Sequence, residues 1–183
     1  MDAACEHGRM RPARLITSAD APVLAELLRA NRDFLAPWEP VRSENYFTAA
    51  GQRAVALRAL ARYEQGLTVP RVILDEAGRV VGRVNLNDLV RGAFQSASVG
   101  YWLSAAANGR GLATAAVRDT IRVAFGELGL HRVEAGTLLD NFRSQRVLER
   151  CGFVRFGVAP SYLNIAGKWQ DHALYQLLKD HLP

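Results

Sequence analysis

A short loop, Asn108-Gly109-Arg110-Gly111-Leu112-Ala113-Thr114, has the residue types and spacing best suited to ligand chemistry. The residues before it, 97–103, are rich in β-branched and aromatic side chains and predict a strand. After it, apolar residues recur at helical spacing as far as Leu128, and Gly129 follows as a typical helix stop. A glycine turn between a strand and a helix N-terminus presents free backbone N–H groups and the positive end of the helix dipole. Since both features favour a phosphate, we assign the whole loop to an anion-binding site.

Two common phosphate-binding loops do not match this segment. The P-loop requires Gly-Lys-Ser/Thr, and the segment contains no lysine. The dinucleotide fingerprint G-x-G-x-x-G requires Gly or Ala at its last position, which is Thr114 here. Taken alone, the loop also fits an ordinary strand-to-helix turn that happens to contain two glycines.

Three further blocks surround the loop. Asn141 and Ser144 open a predicted helix that ends at Gly152-Phe153, residues 31–42 contain Pro-Trp-Glu-Pro, and residues 162–172 form a closing block. Together with the loop, which fits Q/R-x-x-G-x-G/A except for Asn108 at its first position, they resemble the GCN5-related N-acetyltransferases. Within that family they resemble the ribosomal-protein-alanine acetyltransferases of the RimJ and RimL group. The resemblance covers nearly the whole chain from Leu24 onward.

The order of the predicted elements indicates the fold class. A strand-rich first half precedes a strand–helix–strand–helix–strand series, which predicts a mixed α/β fold with one central sheet and helices on both faces. The resemblance implies the acetyltransferase fold, whose sheet is largely antiparallel and contains a splayed strand pair. The length fits a single domain over residues 1–183, with residues 1–11 frayed.

The resemblance also implies acetyl-CoA as the bound cofactor. Its pyrophosphate would lie on the glycine loop, and its pantetheine arm along the backbone of Tyr101, Trp102 and Leu103. Asn141 and Ser144 would complete the cofactor site.

Ser144 is the predicted catalytic acid. Helical spacing places it on one face with Val147, Leu148 and Cys151, so its hydroxyl is expected to point inward. The family pattern gives a residue at this position the protonation of the leaving sulfur. The alternative is a serine that only forms a local hydrogen bond near the start of its helix.

The catalytic base is less sharply defined. Relatives often have an acidic residue before the Tyr-Leu of the closing block, where this chain has Ser161. Glu134, Glu44 and Asp140 are the remaining candidates, and each also fits a solvated or structural carboxylate. A weak base suits an α-amine, whose pKa of about 7.7–8.0 leaves a neutral fraction that a lysine, at about 10.4, lacks.

We therefore predict an N-acetyltransferase that modifies the N-terminal α-amine, an alanine, of a ribosomal protein. Acetylation of a small amine, an antibiotic or a peptide toxin is the first alternative. A non-catalytic CoA-binding factor for ribosome assembly is the second, and association with the ribosome fits both it and the main hypothesis.

Net charge, apolar runs, cysteines and histidines limit the class of protein further. The net charge of +5 favours anionic partners, but nothing indicates DNA binding, and no apolar run approaches a membrane span. Two cysteines make no disulfide framework, which predicts a cytoplasmic protein. The histidines show no metal-ligand spacing, so no metal is expected.

Overall fold

The computed structural model describes residues 11–181, so the segment predicted to be frayed lies outside the described residues except for Arg11. Seven strands form one sheet in the order β1-β2-β3-β4-β5-β7-β6. Only β4 and β5 run parallel, and all other neighbours are antiparallel. The strands are β1 Ala13–Leu15, β2 Val69–Leu74, β3 Val80–Val90, β4 Ser96–Leu103, β5 Arg132–Leu138, β6 Val154–Ile165 and β7 Lys168–Leu178. The mixed and largely antiparallel sheet is confirmed.

Helices cover both faces of this sheet, as predicted. They are α1 Ala21–Ala30, α2 Arg32–Leu35, α3 Ala49–Glu64, α4 Leu112–Arg122 and α5 Phe142–Arg150. We call the face beneath α1 and α3 the front face; its core cluster consists of Ile16, Leu24, Ala56, Val72 and Leu74. The back face lies beneath α4 and α5, and its larger core includes Val84, Leu86, Val99, Val117 and Leu148. Within residues 11–181, no helix is both long and apolar enough to cross a membrane.

The parallel strands β4 and β5 part soon after they meet. Ser96, Ala97 and Ser98 pair with β5, and the last of these pairs joins Ser98 to Glu134. Beyond it, β4 stays paired with β3 on its other edge, and β5 stays paired with β7. Both strands therefore turn an unpaired backbone edge into one gap, which confirms the predicted splay.

A buried ion pair fastens α4 to the back face. A guanidinium nitrogen of Arg71, on β2, lies 2.5 Å from the Asp119 carboxylate, and the two side chains are only 5% and 10% exposed. Arg71 also donates to Thr120 Oγ1 at 2.9 Å and to the Ala13 carbonyl at 2.7 Å. These contacts join β1, β2 and α4, so they hold the helix whose N-terminus carries the glycine loop.

We predict that Asp119→Asn strongly destabilises the fold. It would leave the Arg71 guanidinium buried without its counter-charge, which typically costs about 3–5 kcal/mol. Asp88→Asn is the matched control, because Asp88 pairs with Arg62 at the surface and such a pair contributes about 1 kcal/mol or less. Urea denaturation of both variants measures the difference, and an equal loss of stability would contradict a special role for the buried pair.

Candidate active site

The glycine loop presents a row of free backbone donors. Gly109 and Gly111 have φ values of 80° and 76°, and Gly111 is the N-cap of α4. Among residues 11–181, no group accepts a hydrogen bond from the N–H of any residue in 109–114, whereas the Ala115 N–H already bonds to the Gly111 carbonyl. A Cβ at either glycine would meet no atom within 4 Å, so the space above the loop is open. This backbone therefore fits a pyrophosphate.

The loop side chains are turned away from that space. Asn108 donates through Nδ2 to the Ser104 carbonyl at 2.9 Å. Arg110 forms an ion pair with Glu76 on the turn between β2 and β3. Leu112 is buried in the back-face core, and Ala113 and Thr114 are half-buried. The loop thus offers mainly its backbone to an anion.

The predicted pantetheine residues lie along the parted edge of β4. The side chain of Tyr101 points to the back face, that of Trp102 packs on the front-face cluster, and that of Leu103 is buried. This alternation is the ordinary consequence of a strand between two cores. These residues therefore contribute their peptide groups, and not their side chains, to the gap.

Ser144 and Tyr101 form a hydroxyl pair behind the gap. Asn141 caps α5 by accepting from the Ser144 N–H at 3.1 Å. The Ser144 Oγ lies 2.9 Å from the Tyr101 Oη, which also lies 3.1 Å from the Ser144 carbonyl. Burial raises the pKa of Tyr101, so its hydroxyl keeps its proton at neutral pH. Sequence reasoning placed the Ser144 side chain inward but missed the tyrosine hydroxyl, whose only signal was strand alternation.

The predicted base candidates lie apart from one another. Glu44 is 79% exposed at its side chain and lies 2.5 Å from Arg32, whose hydrogen bond lowers the pKa of Glu44. Glu134 sits where β4 and β5 part, 3.5 Å from an Arg132 guanidinium nitrogen. Asp140 is exposed beyond the end of β5. The structure therefore gathers no set of carboxylates from these three residues.

A cavity of about 290 Å³ opens beside the front-face helices. It is closed partly by a hydrogen bond at 3.0 Å from the Ala166 N–H, in the β6–β7 turn, to the Glu39 carbonyl. Its lining is mostly apolar and consists of Leu28, Arg32, Leu35, Ala36, Glu39, Pro40, Val41, Arg42, Phe47 and Ala166. The site thus has an anion-binding loop, a gap between strands and a hydroxyl pair behind the gap. The cavity beside the front-face helices is called the front cavity below.

Comparison with known families agrees with this arrangement. The sequence matches the family described as "Acetyltransferase (GNAT) domain" over residues 13–154. That span runs from β1 to the start of β6. It therefore contains the glycine loop, the parted strands and the Ser144–Tyr101 pair.

Individual relatives agree with the family match. The chain is 36% identical to the probable N-acetyltransferase YjcK of Bacillus subtilis, over 93% of this chain and 95% of that protein. It is 34% identical to the ribosomal protein uS5-alanine N-acetyltransferase of Escherichia coli, over 90% and 85%. The solved structure of Mycobacterium smegmatis RimJ in complex with CoA-disulfide superposes with a TM-score of 0.90 at 30% identity, covering 93% of this chain and 83% of that one.

We predict that Gly111→Val abolishes or greatly weakens binding of acetyl-CoA. The branched side chain would fill the open space above the loop N–H groups and strain a backbone with φ of 76°. Gly92→Val is the matched control, because Gly92 has φ of 69° and equally open surroundings in the β3–β4 turn. Calorimetric titration should show binding by Gly92→Val only, and unchanged affinity in Gly111→Val would refute the loop assignment.

Proposed function

The chain belongs to the GNAT family of acetyl-CoA-dependent N-acetyltransferases, and we propose that its acceptor is the N-terminal α-amine, an alanine, of a ribosomal protein. The observation that carries this proposal is the character of the front cavity. Its wall is mostly apolar, and its charged members are two arginines and one carboxylate. Such a wall suits an apolar chain end better than a polyamine, which needs an excess of negative charge.

An α-amine acceptor is also consistent with the arginines beside two of the predicted base candidates, Glu44 and Glu134. Arg32 lowers the pKa of Glu44 and so weakens it as a base, and Glu134 lies 3.5 Å from an Arg132 guanidinium nitrogen. An α-amine is partly neutral near pH 7 and needs less help than a lysine. The Escherichia coli relative is named for acetylation of an alanine on uS5. A ribosomal acceptor would place the reaction in the cytoplasm and would make contact with the ribosome an expected property.

The proposed mechanism is direct transfer across the strand gap. The peptide groups of β4 hold the thioester arm, and the loop N–H groups hold the pyrophosphate. The acceptor enters from the front, where its amine attacks the thioester carbon, so that a C–N bond forms and the C–S bond breaks. The Ser144–Tyr101 pair lies on the back side and donates the proton that the departing sulfur needs. Since the chain is an N-acetyltransferase, the non-catalytic assembly factor considered from sequence is set aside.

We predict faster acetylation of an α-amine than of a lysine or a polyamine. The comparison uses an alanine-terminated peptide without lysine, an N-blocked peptide with one internal lysine, and spermidine. Mass spectrometry at matched concentrations near pH 7.5 measures the initial rates. The first peptide should react fastest, because its amine has the largest neutral fraction near pH 7.5. Its N-terminal residue also carries no charge other than that of the amine. Faster reaction of the blocked lysine peptide or of spermidine would contradict the proposed acceptor.

We predict that Ser144→Ala lowers kcat by about 10²-fold, the low end of general-acid effects because a thiolate leaves readily. Binding of acetyl-CoA should change little. Thr48→Ala is the control for a purely structural serine, since Thr48 caps α3 by accepting from the Gly51 N–H at 3.0 Å, away from the gap. Loss of such a cap costs about 1 kcal/mol. If Ser144→Ala behaves like Thr48→Ala, with a lower Tm and unchanged kcat, Ser144 has no part in the chemistry.

A further inference from the structure

Four polar side chains gather between the front face of the sheet and the loop that leads from α2 to α3. They are Glu39, Arg42, Tyr46 and Arg83, and we call them the entry-loop cluster. Glu39 lines the front cavity. The Arg42 guanidinium lies 4.8 Å from the centre of the Tyr46 ring. Arg83 is only 7% exposed, and among residues 11–181 its Nε finds no hydrogen-bond partner.

Glu39 differs from the other carboxylates near the site. Glu44 and Glu134 each lie within 4.0 Å of an arginine nitrogen, whereas no cationic nitrogen of residues 11–181 lies within that distance of Glu39. Its main chain is nevertheless fixed, because the Glu39 carbonyl accepts from the Ala166 N–H at 3.0 Å. Glu39 therefore places a half-buried carboxylate at the cavity wall on a fixed backbone, and among residues 11–181 it has no ion pair within 4.0 Å.

The cluster is connected to the strand gap through Arg83. Arg83 lies on β3 directly opposite Trp102 of β4, and both side chains are on the front face. Trp102 lies in the stretch of β4 that has already parted from β5. An amine that approaches the gap from the front cavity thus passes the side of the sheet where Glu39 is held.

We propose that Glu39 is the general base that takes a proton from the acceptor ammonium. The proton moves from the nitrogen to a carboxylate oxygen of Glu39, and the freed lone pair forms the C–N bond as the C–S bond breaks. The nitrogen loses its second proton to solvent as the amide forms. The sulfur takes a proton from the Ser144–Tyr101 pair, which regains one from solvent, and Glu39 returns its proton to solvent when the product leaves. This inference goes beyond the proposed acceptor, because it holds for any amine that the site accepts.

The charges around Glu39 suit this role. Burial raises the pKa of Glu39, and the positive charges of Arg42 and Arg83 oppose that rise. From the other elements, α2 contributes Arg32, already paired with Glu44, and the turn between β6 and β7 contributes the uncharged Ala166. Burial also raises the pKa of Tyr46, so the phenol stays neutral. A carboxylate with a raised pKa is a better match to an amine than an ordinary one.

His172 is another candidate base on the front face. It is 3% exposed, its Nδ1 lies 2.9 Å from the Gln170 carbonyl, and its ring tilts against Tyr162. It does not line the front cavity. The cavity therefore favours Glu39 as the group that an incoming amine meets.

The test compares Glu39→Gln with Glu26→Gln, the same change at an exposed position of α1. The substrate is whichever of the alanine-terminated peptide, the blocked lysine peptide and spermidine the wild type acetylates fastest. If the proposed acceptor is wrong, the wild type will prefer a different substrate. If this inference is wrong, the Glu39 variants will retain wild-type activity on the preferred substrate. We expect Glu39→Gln to lower kcat/KM by about 10²-fold or more, Glu39→Asp to recover part of it, and Glu26→Gln to match the wild type.

A pH profile separates a base from a merely structural group. Wild-type kcat/KM should fall at low pH only as Glu39 becomes protonated, because the carboxylate accepts its proton from the bound ammonium. In Glu39→Gln only the neutral amine can react, so kcat/KM should already fall as pH drops below the pKa of the amine. Folding stability should change with pH in the opposite direction to kcat/KM. A carboxyl group whose pKa is raised on folding destabilises the native state as pH rises through that pKa. Glu39→Gln should accordingly be at least as stable as the wild type at pH 8, with unchanged affinity for acetyl-CoA. Wild-type activity in Glu39→Gln, an unchanged acidic limb, or activity lost together with Tm would overturn the proposal.

Discussion

The parting of β4 from β5 is the constraint on which the rest of the site depends. Parallel strands normally continue to exchange hydrogen bonds, and unpaired peptide groups inside a protein cost free energy. Here the pairing ends at Ser98 and Glu134 although both strands continue. The two free edges need other hydrogen-bond partners, and the proposed pantetheine arm, which contains amides, would meet that need.

The surrounding elements each supply one function to this gap. The buried Arg71–Asp119 pair holds α4, whose N-terminus aims the glycine loop at one end of the gap. Helix α5 brings Ser144 against Tyr101 at its back. The loop between α2 and α3, bonded to the β6–β7 turn through Glu39 and Ala166, closes the front cavity. In the proposed mechanism, the cofactor and the acceptor meet where the sheet is open.

Local patterns predicted much of this fold. Strand β4, expected over residues 97–103, spans Ser96–Leu103, and the glycine loop lies between β4 and α4 as its residue types required. Strand β6 is harder to see in the sequence, because it runs from Val154 to Ile165 through residues that rarely form strands. Pro160, Ser161 and Asn164 give no strand signal, and pairing with β7 across an irregular register overrides their low propensity.

The site was less predictable because its key contacts join distant parts of the chain. The ion pair of Glu44 with Arg32 joins residues 12 positions apart, and the hydroxyl pair of Tyr101 with Ser144 joins residues 43 positions apart, so local sequence reveals neither contact.

The most direct test of the cofactor site is amide hydrogen exchange measured by NMR with and without acetyl-CoA. Bound acetyl-CoA should slow amide exchange in residues 99–103 and 109–114 and should change exchange in β2 little. Protection elsewhere, with those two segments unchanged, would contradict the assigned cofactor site.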